Sequence, residues 1–251
     1  MSDHPDRIDA YLVAGGKYHD IDFARLELLK LLAEHPQVRV TVGSDYHDTE
    51  RIAASDFLVS YTCDVRPTEE QQQALSGYIE NGGRWMALHG TNAALDFTAK
   101  GVDSPRIFPK LAHVLGSQFV AHPPIQMYRV EKRAPDHPLV SGIDEFETDD
   151  ELYLCEYHDV EKLEVLLDCQ YSGKAAGFIE DDWGDSDRHL VAYVRPLGKG
   201  AVLYNTLGHC RGNWDFRPMM DYYPQVERCS WEKPEYYELL RRGLRWCLRE
   251  L

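Results

Sequence analysis

The sequence predicts a doubly wound α/β fold on a mostly parallel sheet, closed by a carboxyl-terminal hairpin and a covering helix. Three observations carry that expectation. Short apolar runs alternate with amphipathic segments through residues 8–88, Gly15-Gly16, Pro36 and Gly82-Gly83 punctuate the joins, and the connections are short enough for strand–helix–strand crossovers. At 251 residues the chain can bury one α/β core, so a single domain over 1–251 is the default.

Ile8–Ala14 is a short apolar run ending in two glycines, which reads as a buried strand and its loop. A helix follows: Asp20 and Asp22 suit its positive end, and Phe23, Leu26, Leu29, Leu32 and Ala33 recur at helical spacing until Pro36. Val38–Val42 and Phe57–Tyr61 give the second and third strands. Pro67-Thr68 with Gln71 forms a capping-box pattern that opens a helix running to Asn81. Arg84–Leu88 is the fourth strand. A helix near Arg106–Leu115 and strands near Gln126–Glu131 and Glu164–Cys169 follow. His189–Val194 and Ala201–Asn205, separated by a Gly-Lys-Gly loop, read as a hairpin. Pro234 then starts a helix with Tyr236, Leu240, Leu244 and Cys247 along one face. The acidic run Asp181–Asp187 reads as a solvated loop.

Composition excludes several classes of function. The net charge of −15 opposes the basic surface that a phosphate backbone requires, so nucleic acid is a poor partner. No apolar run reaches bilayer length, and Met1–Asp6 lacks the basic and apolar stretches of a leader, so neither membrane nor export is expected. Six cysteines are scattered without C-x-x-C spacing, which fits a reducing, cytoplasmic compartment better than disulfides or a zinc knuckle.

In open α/β sheets ligands bind beyond the carboxyl ends of the strands, and histidines stand there. His19 follows the first strand, His89 the fourth and His209 the last, so the three are expected to converge on one pocket. His89 occupies the strand-to-helix corner where related topologies expose a nucleophile, without a Cys or Ser in that position. Imidazole there suits proton transfer or metal ligation, and His89, on a loop with few packing partners, is the expected general base. His122 in Ala-His-Pro-Pro can return to the pocket, whereas His137 belongs to a turn. Glu151, beside Tyr153, can orient a histidine, hold a metal or bind sugar hydroxyls. Cys63 and Asn92, also after strands, are expected to line the pocket, and His122, Tyr153 and Trp214 to contact substrate.

The ordered set Gly16-x-x-His19, Leu88-His89-Gly90, Phe119-x-x-His122-Pro123, Asp136-His137-Pro138-x-x-x-Gly142, Asp150-Glu151-x-Tyr153 and Gly198-Lys199-Gly200…Leu207-Gly208-His209 resembles the ThuA-like (trehalose utilization) family across most of the chain. The resemblance implies a flavodoxin-like, three-layer fold similar to class I glutamine amidotransferases, without their cysteine nucleophile. It also implies sugar catabolism, linked to a dehydrogenase that first makes a 3-keto sugar, and leaves room for a homo-oligomer. His19, His89, Glu151 and His209 match the family's recurrent polar positions, while Cys210–Asp215 and Asp221-Tyr222-Tyr223 depart from it. The leading function is therefore isomerisation, elimination or hydrolysis of a keto-sugar or 3-keto-glycoside by histidine-based proton transfer. A divalent ion such as zinc or manganese on His19, His89, Glu151 and His209 is a further expectation. The alternatives are a non-catalytic carbohydrate-binding or regulatory protein and an amidase using Cys63.

Overall fold

A computed structural model describes residues 6–185 and 187–251. The amino-terminal segment 1–5, read above for a leader, and Ser186 of the acidic run lie outside the described residues. In chain order the elements are β1 (Ile8–Gly16), α1 (Ile21–Leu32), β2 (Val38–Gly43), α2 (Thr49–Ala53), β3 (Phe57–Cys63), α3 (Glu69–Glu80) and β4 (Arg84–Leu88). Next come β5 (Asp96–Thr98), β6 (Gly101–Asp103), α4 (Pro109–Leu115), β7 (Ser117–Ala121), β8 (Gln126–Lys132), β9 (Phe146–Asp150) and β10 (Leu154–Tyr157). The last elements are β11 (Glu164–Gln170), β12 (Arg188–Leu197), β13 (Gly200–Asn205) and α5 (Pro234–Cys247).

Nine strands make the central sheet in the order β2-β1-β3-β4-β13-β12-β11-β8-β9. From β2 to β13 every pairing is parallel, and from β13 onward each is antiparallel. The parallel half follows from strands whose two faces are both apolar: along β1, Ala10, Leu12 and Ala14 join one core while Tyr11 and Val13 join the other. The first core takes Leu28 and Leu32 of α1 and Leu240 and Leu244 of α5; the second takes Ile52 of α2, Ile79 of α3 and Leu111 of α4. Three layers result, with β13 inserted between β4 and its hairpin partner β12.

Local chemistry sets the helix ends. Asp20 caps α1 by accepting the Phe23 N–H, and Thr68 and Gln71 complete the capping box of α3. Helix α5 opens with Pro234, and Gly243 lets it lie directly on β4, because a Cβ there would stand 2.4 Å from Met86 Sδ. Burying Leu240 and Leu244 on that face contributes about 1.5–3 kcal/mol each.

Two differences from the sequence reading have physical causes. The helix near Arg106–Leu115 begins only at Pro109, since proline suits the first helical turn. The antiparallel strands β7, β9 and β10 carry polar residues inward, which masks their alternation. In β9 the inward positions are Phe146, Thr148 and Asp150, and the latter two are satisfied by partners distant in sequence.

Candidate functional site

Three loops at the carboxyl edge of the parallel strands deliver the histidines. After β1, the Gly16–His19 turn is tight: Gly16 has φ +109, and a Cβ there would fall 1.9 Å from the Cys63 carbonyl oxygen. After β4, His89 itself takes a left-handed φ of 46 at the start of a short 3-10 turn, His89–Asn92. After β13, Leu207-Gly208-His209 carries the third ring. The structure brings all three together, with ring centroids 4.7 Å apart for His19 and His89, 4.9 Å for His19 and His209, and 5.6 Å for His89 and His209.

Glu151 closes the cluster from the opposite half of the sheet, just after β9. Its Oε2 lies 3.7 Å from His19 Nε2, 3.5 Å from His89 Nε2 and 3.2 Å from His209 Nδ1. Its Oε1 faces His122 Nε2 at 3.5 Å and Arg211 Nη2 at 3.4 Å. Asp150 fixes this arrangement: its buried carboxylate accepts the backbone N–H groups of Glu151, Gly208, His209 and Ser230, tying the end of β9 to the loop after β13.

The far nitrogens of the rings decide which nitrogens face one another. A carbonyl can only accept, so Nδ1 of His89 donates to Thr206 O at 2.7 Å and Nδ1 of His19 donates to Lys17 O at 3.2 Å. Nε2 of His209 donates to Glu227 Oε2 at 2.8 Å, and that carboxylate also accepts from Arg211 and from the Tyr223 hydroxyl. The remaining nitrogens, Nε2 of His19, Nε2 of His89 and Nδ1 of His209, therefore turn inward. The first two are 2.9 Å apart, two like lone pairs that repel unless a proton or a cation lies between them. The third makes no aligned hydrogen bond among the described residues. Histidines anchored through one nitrogen and facing a carboxylate with the other are the arrangement of metal-binding imidazoles.

Electrostatics point the same way. Burial, only partly offset by Glu151, lowers His19 to about 3 and keeps it neutral. Burial would also depress His209, but Glu151 and Glu227 outweigh it and push it up to about 9. For Glu151, burial is outweighed by His122, His209 and His19, and its carboxyl stays well below the usual range. The site sets a buried negative charge against inward-facing ring nitrogens.

Above the cluster opens a cavity of about 410 Å³. His19, Glu151, Tyr153 and Cys63 line its floor, and His122 stands beside them with a quarter of its side chain exposed. Tyr153 donates its hydroxyl to His89 Nε2 at 3.1 Å. Several sequence expectations need correction. His89 is fully enclosed rather than loosely packed on a loop, and it does not line the cavity. Asn92 is buried with its amide donating to Ser117 Oγ, away from the cavity. Trp214 is two-thirds exposed and lines not the cavity but a neighbouring groove that also borders His19, Lys17 and Arg217. Cys63 reaches the cavity, but burial pushes its thiol well above the ordinary range, against the thiolate that an amidase would need. Sequence reasoning missed Asp150, Arg211 and Glu227. Asp150 stands in the acidic triplet that drew attention to Glu151, and the other two fall in the irregular segment 210–233, where no period signals a site.

Fold and site define a class: an amidotransferase-like α/β protein with a buried histidine–carboxylate cluster at the carboxyl edge of its parallel strands. Residues 11–222 match the family described as ThuA, trehalose utilisation, and the chain belongs to that family. Among solved structures it is similar to a ThuA-like protein from Bacteroides uniformis, with TM-score 0.68 and 18% identity over 98% of this chain and 93% of that one. A ThuA-like protein from Parabacteroides merdae gives TM-score 0.67 and 15% identity over 96% and 90%. A protein from Thermoplasma acidophilum described as one of the subunits of GMP synthase gives 0.51 and 11% over 98% and 99%, which marks the amidotransferase-like fold. No curated protein matches the sequence. Among the described residues no helix is long and apolar enough to cross a membrane.

Proposed function

We propose that the protein is an enzyme of sugar catabolism that moves a proton beside the ketone of a keto-sugar or 3-keto-glycoside, with His19, His89, His209 and Glu151 holding one divalent cation such as zinc or manganese. The convergence of three anchored imidazoles and one carboxylate carries this reading. Their four ligand atoms lie within 4.8 Å of one another. Ligand bonds of about 2.0–2.2 Å in a tetrahedron give ligand–ligand edges of about 3.3–3.6 Å. The observed 2.9, 3.2, 3.5 and 3.7 Å bracket that range. When bound, such a cation would supply Lewis-acid polarisation of a carbonyl or hydroxyl oxygen, for which a site with four protein ligands must expand its coordination.

His122 is then the proton-transfer group, because a quarter of its side chain is exposed whereas His19, His89 and His209 are almost wholly buried. Its Nδ1–H donates to Pro123 O at 2.8 Å, which leaves Nε2 as the free base. That nitrogen takes the proton from the carbon next to the ketone, the C–H electron pair forms the carbon–carbon double bond of an enolate, and the carbonyl π pair moves onto oxygen. Isomerisation is complete when the proton is delivered to the former carbonyl carbon while the neighbouring hydroxyl passes its own proton to the enolate oxygen and becomes the new ketone. Alternatively the enolate oxygen re-forms the ketone, the enolate double-bond pair shifts to a new double bond toward the anomeric carbon as that carbon's bond to the glycosidic oxygen breaks, and the departing oxygen takes the proton from His122. Arg211, paired with Glu227 and Glu151, holds the carboxylates in place.

The test is elemental analysis of untagged protein together with single-turnover rates on 3-keto-glycosides, with and without chelator. The expected result is one divalent ion per chain, loss of turnover in chelator, and His122→Gln slower by about 10²–10⁴-fold with the metal retained. Metal-loaded protein that turns over none of these substrates would overturn the reading.

A further inference from the structure

The cavity is unevenly lined. His19, Glu151, Tyr153, Arg211, Tyr223 and Glu227 supply its charged and hydroxylated lining, whereas Phe97, Val102, Phe119 and Phe178 join in one apolar wall, with Leu95 and Ile125 also lining the cavity. The wall is built rather than incidental. Phe97 and Val102 are cross-strand partners in the β5–β6 hairpin, and Val102 bridges to Phe178. The Val102 N–H donates to Gly177 O at 2.8 Å, and Ile179 N–H donates to Val102 O at 2.9 Å, so these main-chain polar groups are spent on each other. The rings lock at their edges: Phe97 meets Tyr18 at 5.3 Å, Phe119 meets Phe178 at 5.8 Å, and Phe178 meets His122 at 4.9 Å between centroids. Phe97 is 43% exposed, an apolar ring presented at the entrance.

A volume of about 410 Å³ is within the roughly 300–1,000 Å³ of pockets for drug-sized ligands. A ligand that fills it places one ring over the cluster and a second group against the phenyl wall. A second sugar ring there would surrender its water hydrogen bonds to side chains that offer none in return, whereas a flat apolar group loses nothing and gains contact area. Resting on the reading that the floor receives a sugar, we infer that the substrate is a glycoside with an aromatic or similarly apolar aglycone, held between Phe97, Val102 and Phe178, in preference to a disaccharide. Phe97 and Val102 stand apart from His122, whereas Phe178 also packs against its ring.

Binding of unoxidised probes tests this independently of turnover. Dissociation constants of phenyl glucosides, methyl glucosides and trehalose are measured by calorimetry on the metal-loaded protein, using both anomers of each glucoside. The better phenyl anomer is expected to bind at least about tenfold more tightly than its methyl counterpart and than trehalose. Phe97→Ser, at a position 43% exposed, and Phe178→Ser, each checked by its thermal midpoint, should weaken phenyl glucoside binding by about 3–10-fold and leave methyl glucoside unchanged. Trehalose or methyl glucoside binding as tightly as phenyl glucoside overturns the inference, as does a preference that both serine variants retain. The preference, present or absent, is read without any reaction, so its failure is distinguishable from failure of the proton-transfer chemistry.

Discussion

Glu227→Gln isolates the support of the cluster from the cluster itself. The glutamine keeps the shape of the side chain and one acceptor oxygen, so it can still receive a hydrogen bond from either His209 Nε2 or Arg211 Nη1, now at 2.8 and 2.9 Å, but without the charge that serves both. A hydrogen bond to a charged group is worth about 1.5–3 kcal/mol. Removing the partner that orients a ligating imidazole typically costs about 10–100-fold in metal affinity, which is about 1.4–2.7 kcal/mol. The two routes agree, so a loss of about 2 kcal/mol is expected in cation affinity. The assay is competition for zinc against a chromophoric chelator at fixed pH and salt, with the metal-free thermal midpoint measured alongside. Affinity within twofold of wild type would show that His209 does not depend on Glu227 and that the argument for an oriented cluster is wrong.

Asp150→Ala should be more damaging to the fold than to any one contact, because four buried N–H groups lose their acceptor and each stranded donor costs about 1–3 kcal/mol. Chemical denaturation should show a loss above about 4 kcal/mol, and a change below about 1 kcal/mol would contradict the assigned tie between β9 and the loop after β13. Cys63→Ser should retain turnover within a few-fold, since the buried thiol is held protonated. Loss of about a thousandfold or more, with selective labelling of Cys63 by iodoacetamide, would revive the amidase alternative.

The parallel half was largely legible because its inner strands β1, β3 and β4 are apolar on both faces and α1 and α3 announce their caps, as Thr68 and Gln71 do, whereas the five-residue α2 went unread. His19, His89 and His209 were legible from their places after strands. In the antiparallel half β8, β11 and the β12–β13 hairpin were legible, but β9 was not, because its inward residues are polar and their compatibility with burial depends on partners elsewhere: Thr148 meets the Ser230 hydroxyl, and Asp150 meets the Gly208 and His209 amides. Arg211 and Glu227 escaped for the same reason. They pair across an irregular loop through an isolated bridge, a contact that no local pattern encodes.

The position of β13 has a consequence for how the molecule is made. It pairs with β4 on one side and with β12 on the other, so Leu88 must wait for Asn205, and the outward edge of β4 has no native partner while the chain between them is being synthesised. An unpaired apolar edge invites the wrong neighbour. The nascent chain is therefore most vulnerable to aggregation late in synthesis. The loop bearing His209 follows β13, so the insertion that seals the sheet also completes the histidine cluster.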